Sequence, residues 1–135
     1  MRPMTTHAER RPHLLIVDDE EAVAYPLSQY FRARGCLVDM ATEPEEAEAL
    51  VSHRRYDLAI LDVCLSSLRT TAGLDVLREI RRRSPGTAVI VLSGHVSAEV
   101  EREARSAGAD RVLAKPMPLR ELAAEVSALV GVAFG

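Results

Sequence analysis

Four short stretches of this chain place groups able to do chemistry at the ends of apolar runs. "LLIVDDEE", residues 14 to 21, takes four branched apolar residues straight into four carboxylates, Asp18, Asp19, Glu20 and Glu21. Asp62 closes "DLAILD", Ser93 and Gly94 follow "AVIVL", and Lys115-Pro116 follow "RVLA". Crowded like charges repel, and burying one without a partner is expensive. A hard divalent cation makes such a cluster tolerable. Magnesium suits oxygen donors, takes one or two carboxylates with water, and leaves positions open for phosphate oxygens. A lysine adds a point positive charge for one phosphate oxygen, and a hydroxyl donates to another. A carboxylate opposite the metal can then attack a phosphoryl group while the other groups stabilise the charge that develops.

The elements that must position these groups alternate strictly between two patterns. Short branched runs occur at 13–17, 36–41, 57–63, 88–93 and 111–114. The first, third and fourth are continuously apolar, as strands covered on both faces must be. Helical spacing fills the gaps. Residues 20–34 carry Val23, Leu27, Tyr30 and Phe31, with Pro26 inside and Gly35 as a C-terminal cap. Residues 43–54 open with Thr42 and Glu45 in capping-box spacing, with Pro44 in the first turn. Residues 74–83 repeat Leu74, Leu77 and Ile80 and end in "RRRSPG". Residues 97–107 begin at Ser97 and stop at "AGAD", and 118–130 align Leu119, Leu122, Val126 and Leu129. Five β–α units of this kind predict an α/β fold with a doubly wound, five-stranded parallel sheet and right-handed crossovers. In such sheets ligands bind beyond the carboxyl ends of the strands, where all four chemical stretches fall.

Composition narrows the function classes. The 135 residues are 47% hydrophobic and 27% charged, with a net charge of −3, so the whole chain advertises neither nucleic-acid nor membrane-surface binding. No apolar run approaches the roughly 18 residues of a membrane span. The leader "MRPMTTHAERRP" is basic and polar without the hydrophobic centre of a secretory signal. Only Cys36 and Cys64 occur, which favours free thiols in a reducing compartment over a disulfide framework. The cytoplasm is the expected location. The one basic run, "REIRRR" at 78–83, lacks interleaved aromatics and reads as a solvated helix end.

The ordered set "IVDDE", "DLAILDV", "VIVLSGH" and "AGADRVLAKP" resembles the receiver domain of bacterial two-component response regulators. The resemblance covers residues 13–131, between a flexible leader at 1–12 and a short tail at 132–135. It implies flavodoxin-like strand order 2-1-3-4-5 and a phosphoryl group accepted by Asp62 from a sensor histidine kinase or histidine phosphotransfer protein. It further implies Mg²⁺ held by Asp19, Asp62 and the backbone carbonyl of Cys64, with Asp18 acting through a water. Ser93 matches the switch hydroxyl beside Gly94, Lys115 the phosphate-contacting lysine, and Pro116 would follow a cis peptide bond. Glu20 reads as helix-cap charge rather than a ligand.

The chain departs from the family pattern at three places. Ser66 stands in a slot often held by proline, and Ala72 precedes Gly73, so the 66–72 loop is longer than usual. Its Ser66, Ser67, Thr70 and Thr71 either alter phosphodonor fit or simply solvate a surface turn. Val112 occupies the position of the aromatic that swings inward on activation, which removes the usual hydroxyl–aromatic coupling. Cys64 and His95 stand two beyond the phosphoacceptor and two beyond the switch hydroxyl, positions that tune phosphoryl lifetime in the family. His95 either hydrogen-bonds a water or phosphate oxygen there or is a solvated loop histidine. Zinc on Cys64 and His95 would need further ligands that the spacing does not supply. His7, His13 and His53 show no constellation.

The resemblance implies a phosphoacceptor rather than an enzyme acting on other substrates. Two other readings are a phosphorylation-independent interaction module and a Mg²⁺-dependent phosphohydrolase with an aspartyl-phosphate intermediate. The second would want an Asp-x-Asp pair, whereas Val63 and Cys64 follow Asp62. Output would pass by protein contact from a stand-alone receiver, or through an effector domain if the chain is a fragment of a longer regulator.

Overall fold

Branched apolar runs too short to make helices form the strands, and amphipathic stretches bridge them. A computed structural model describes residues 11–63, 70–94 and 96–134. In chain order the elements are β1 (His13–Val17), α1 (Glu21–Arg32), β2 (Leu37–Ala41), α2 (Pro44–His53) and β3 (Leu58–Val63). There follow α3 (Thr70–Arg83), β4 (Ala88–Ser93), α4 (Ala98–Ala107), β5 (Arg111–Ala114) and α5 (Leu119–Val130). The strands are all parallel, in the order β2-β1-β3-β4-β5. This is the expected 2-1-3-4-5 sheet.

Side-chain alternation along the strands splits the core in two. Leu15, Ala59, Leu61, Val89 and Val91 pack with α2, α3 and α4 on one face. Leu14, Ile16, Leu58, Ile60 and Ile90 pack with α1 and α5 on the other. The inner strands β1, β3 and β4 are thus covered twice, which is why their runs are unbroken. Burying each such Leu or Ile stabilises the fold by about 1.5–3 kcal/mol relative to exposure.

Several helices differ in detail from their sequence pattern. In α1 the buried stripe is Ala24, Leu27, Ser28 and Phe31, while Val23 is exposed. Pro26 lies past the first turn, so the helix lacks one backbone N–H in its interior. In α5 the buried set is Leu122, Ala123 and Val126, and Leu119 sits at the exposed start. The expected capping box uses another residue: the Thr42 N–H donates to the Glu46 carboxylate, 2.9 Å away, and Glu45 takes no part. Helix α3 begins at Thr70, four residues before the sequence pattern suggested, and runs through Gly73. Glycine disfavours a helix interior by about 1 kcal/mol, which hid this first turn. The rest of the 66–72 loop lies outside the described residues.

Two glycine caps hold as expected or better. At Gly35 (φ +94°) the Gly35 N–H bonds the Arg32 carbonyl and the Cys36 N–H bonds the Phe31 carbonyl, the paired closure of a Schellman motif. Gly108 repeats it after α4 with Arg105 and Ala104 as acceptors. Most of the leader falls outside the described residues, but the Pro12 carbonyl accepts from the Leu37 N–H. Phe134 in the tail packs edge-on against Phe31, ring centroids 5.9 Å apart. No helix among the described residues is long and apolar enough to cross a membrane.

Candidate functional site

Parallel pairing sends the carboxyl end of every strand to one edge of the sheet. Val17 lies level with Leu61, so Asp18 emerges beside Asp62. Ser93 lies level with Ala114, so Lys115 is the next residue beyond it. The Lys115 N–H donates to the Ser93 carbonyl at 2.8 Å, and the Lys115–Pro116 peptide is cis, as expected. Asp18, Asp62, Ser93 and Lys115 therefore meet at one rim.

Asp18 is buried. Its backbone N–H donates to the Ala41 carbonyl at 3.0 Å, and its Oδ1 accepts from the Glu20 N–H at 2.9 Å. Its carboxyl lies beside that of Asp62. Burial first, and then this contact, push the Asp18 carboxyl up to about 7, against the opposing pull of the Glu20 N–H and Lys115. Lys115 Nζ donates to Asp62 Oδ2 at 2.5 Å. Burial works against the charged ammonium, yet Asp62, with Asp18 and Glu20 behind it, outweighs burial and raises Lys115 above the ordinary lysine value. Ser93 is fully buried.

The other site residues are placed as follows. Asp19 is exposed and makes no hydrogen bond or ion pair among the described residues. Gly94 is exposed, with open space where a Cβ would stand. Val112 pairs with Val91 and is partly buried against the α2–α3–α4 core. Cys64 and His95 lie outside the described residues. Glu20 stands at the N-cap of α1, but its side chain makes no capping bond; its N–H instead holds Asp18. No group of three or more His, Cys, Asp or Glu side chains among the described residues has metal-holding geometry. The donors that do meet fit a hard cation. Two paired carboxylates, one kept from ionising comfortably, are the oxygen set such an ion relieves.

Sequence reasoning missed a second polar cluster, at the opposite edge of the sheet. His13, seemingly without partners, bonds Asp39 at 3.1 Å and meets the Tyr56 ring edge-on at 4.7 Å. Asp39 also accepts from Tyr56 at 2.6 Å and from Arg54 at 3.0 Å. No local pattern announces it: the β1–β2 register of the folded sheet pairs His13 with Leu37 and so puts Asp39 two residues along the same strand face. The basic run at 78–83 is largely neutralised: Arg78 pairs with Asp75, Arg82 and Arg83 pair with Glu79, and Arg81 bonds Asp110. Cys36 is a free, buried thiol that burial pushes up to about 11.

Known proteins share this arrangement. The response regulator receiver domain model matches residues 14–127. The two-component response regulator PhoP of Pseudomonas aeruginosa is 32% identical over 117 residues, 87% of this chain and 51% of that protein. The response regulator MprA of Mycobacterium sp. (strain KMS) is 34% identical over 87% of this chain and 50% of its own length. The chain thus spans about half the length of these relatives. A CheY-like receiver domain protein from Methanospirillum hungatei superposes with a TM-score of 0.83 at 26% identity, covering 90% of this chain and 95% of that one. A response regulator from Burkholderia pseudomallei superposes with a TM-score of 0.77 at 27% identity, covering 87% and 66%. That structure holds a phosphorylated aspartic acid, a calcium ion and citrate. With its strand order, its rim of aspartates and lysine, and this match over most of its length, the chain belongs to the response regulator receiver domain family of two-component signalling.

Proposed function

We propose that Asp62 is the phosphoacceptor and that residues 13–131 work as one phosphorylation-controlled unit. The observation that carries this reading is the convergence on Asp62 of Lys115 Nζ, at 2.5 Å, and the buried Asp18 carboxyl. The donor is a phosphohistidine on a sensor histidine kinase or a histidine phosphotransfer protein. An Asp62 carboxylate oxygen attacks phosphorus, an O–P bond forms, and the P–N bond to the donor imidazole breaks. Lys115 moves its hydrogen bond from Asp62 to a phosphoryl oxygen, and the Ser93 hydroxyl donates to another.

Mg²⁺ would be held by Asp19, Asp62 and the Cys64 carbonyl, with Asp18 through a water, and when bound supplies neutralisation of the transferring charge. Burial and the neighbouring Asp62 raise the Asp18 carboxyl, which eases the like-charge contact in the metal-free protein. Cys64 and His95 set how long the acyl phosphate survives. Val112 leaves the Ser93 shift without an aromatic partner, so the signal travels through the Ser93–Lys115 backbone junction.

The chain acts on its own carboxylate and on no other substrate, in the cytoplasm. Its output is a population shift that a protein target or an effector domain reads. The test is intact-mass spectrometry after incubation with acetyl phosphate, with and without Mg²⁺, on wild type and Asp62→Asn. One added phosphoryl group that requires both Mg²⁺ and Asp62 is the expected result. No adduct, with Mg²⁺ binding intact, would make the chain an interaction module instead.

A further inference from the structure

At the amino edge of the sheet, opposite the phosphoacceptor rim, the structure has a cavity of about 350 Å³. Arg11, His13, Arg32, Leu37, Asp39 and Arg54 line it. Four segments distant in sequence supply these walls: the residues before and at the start of β1, the last residue of α1, the start of β2, and the residue after α2. Three guanidinium groups face one carboxylate in a protein whose net charge is −3. The carboxylate is already satisfied, since Asp39 Oδ2 accepts from Tyr56, Arg54 and His13 together. The arginines are not. Among the described residues, Arg11 uses only Nε, toward the Gly35 carbonyl, and Arg54 uses only Nη1. Arg32 bonds Gln29 and the Val38 carbonyl and keeps Nε unused.

The carboxyl ends of α1 and α2 also point toward this edge, and each carries about half a negative charge. Together with Asp39, which Arg54 already pairs, they offset two of the three cations and leave about one positive charge. Fork-shaped guanidinium donors left unpaired around a concavity match the geometry of a phosphate group. The remaining wall is apolar: Leu37, 43% exposed, stands open beside the buried Cys36 and Val38. A volume of this size lies at the lower end of small-molecule sites.

We propose that this cavity binds a mononucleotide, its phosphate held by Arg11 and Arg54 and its ring system lying against Leu37. The site is separate from the phosphoacceptor chemistry and would let a second, soluble signal meet the same receiver.

The probe is adenosine 5′-monophosphate, titrated into the metal-free protein in EDTA and followed by calorimetry and amide chemical shifts. Saturable binding is expected, with shifts at His13, Leu37 and Asp39. Adenosine and inorganic phosphate should each bind at least roughly tenfold more weakly, because each lacks one half of the match. Arg11→Glu combined with Arg54→Glu should also weaken binding at least roughly tenfold in a protein shown by circular dichroism to be folded. Arg11→Glu alone, outside any helix or strand, serves if the double variant unfolds. Absence of binding, binding indifferent to the arginines, equal affinity for inorganic phosphate, or shifts centred on Asp18, Ser93 and Lys115 would each overturn the proposal.

Discussion

Lys115, just past the end of β5, reaches over β4 to Asp62 in β3 and donates to its Oδ2 at 2.5 Å. The contact spans 53 positions of sequence and ties the two strands that flank β4 at the reactive edge. Lys115 is the more open of the two, 31% exposed against 11% for Asp62, so it can turn toward an arriving phosphoryl group. Lys115→Met should therefore slow phosphorylation by acetyl phosphate by roughly 10²-fold, the scale of losing one fixed charge donor to a transition state. Time-resolved intact-mass spectrometry reads this directly; an unchanged rate would remove Lys115 from the chemistry.

Asp18 is buried with its carboxyl beside that of Asp62, so metal-free protein carries an unfavourable carboxylate pair. In EDTA near pH 8, Asp18→Asn should raise the melting temperature, since an amide can donate to Asp62 without repulsion. Added Mg²⁺ should then stabilise wild type more than the variant. Thermal melts with and without Mg²⁺ give both comparisons, and an equal Mg²⁺ effect on the two proteins would count against Asp18 as part of the cation site.

Gly108 closes α4 with φ +116°, and a Cβ there would stand 2.8 Å from Arg81 Nε. Arg81 cannot yield cheaply. Its guanidinium donates to the carbonyls of Pro85, Thr87 and Gly108 and to Asp110, clamping the end of α3 to the loop before β5. Gly108→Ala should cost about 1–3 kcal/mol from backbone strain alone, with the contact adding to it. Urea unfolding measures the loss, and a change under about 0.5 kcal/mol, the scale of a neutral surface substitution, would contradict it.

Burial raises the Asp39 carboxyl, but the Tyr56 hydroxyl, Arg54 and His13 outweigh burial and leave it below its ordinary value of 3.8. A depressed carboxyl contributes stability that is complete above the unfolded value and lost as pH falls through the folded one. Asp39→Asn should therefore destabilise the protein at neutral pH and flatten its stability profile below about pH 4. Tyr56→Phe should cost about 1–2 kcal/mol, because it removes a donor from a partly buried carboxylate. Urea melts from pH 2.5 to 7 distinguish the two; parallel profiles for Asp39→Asn and wild type would show that Asp39 is not depressed.

The order of strands and helices, the doubly covered inner strands and the placement of Asp18, Asp62, Ser93 and Lys115 after apolar runs were all legible along the chain. These depend on local pattern: a short run of branched apolar residues bounded by turn residues suits a strand covered on both faces, and a parallel sheet sends each run's end to one edge. Gly35 likewise announced its cap, because few other residues tolerate its φ of +94°.

What the sequence could not separate were neighbours of like type. Asp18 and Asp19 are adjacent carboxylates, yet one turns inward to Asp62 and the other lies exposed, because successive side chains leaving a strand point to opposite sides. Glu46 rather than Glu45 reaches back to Thr42, and Ala24 rather than Val23 is buried in α1, each decided by where the helix lands on the sheet. The His13–Asp39–Tyr56–Arg54 cluster and its arginine-lined cavity had no signature at all. Their members come from separate segments, and only the parallel register of β1 against β2 and β3 brings those segments to one edge. Local pattern determines which residues leave the core; only the packed sheet determines which of them meet.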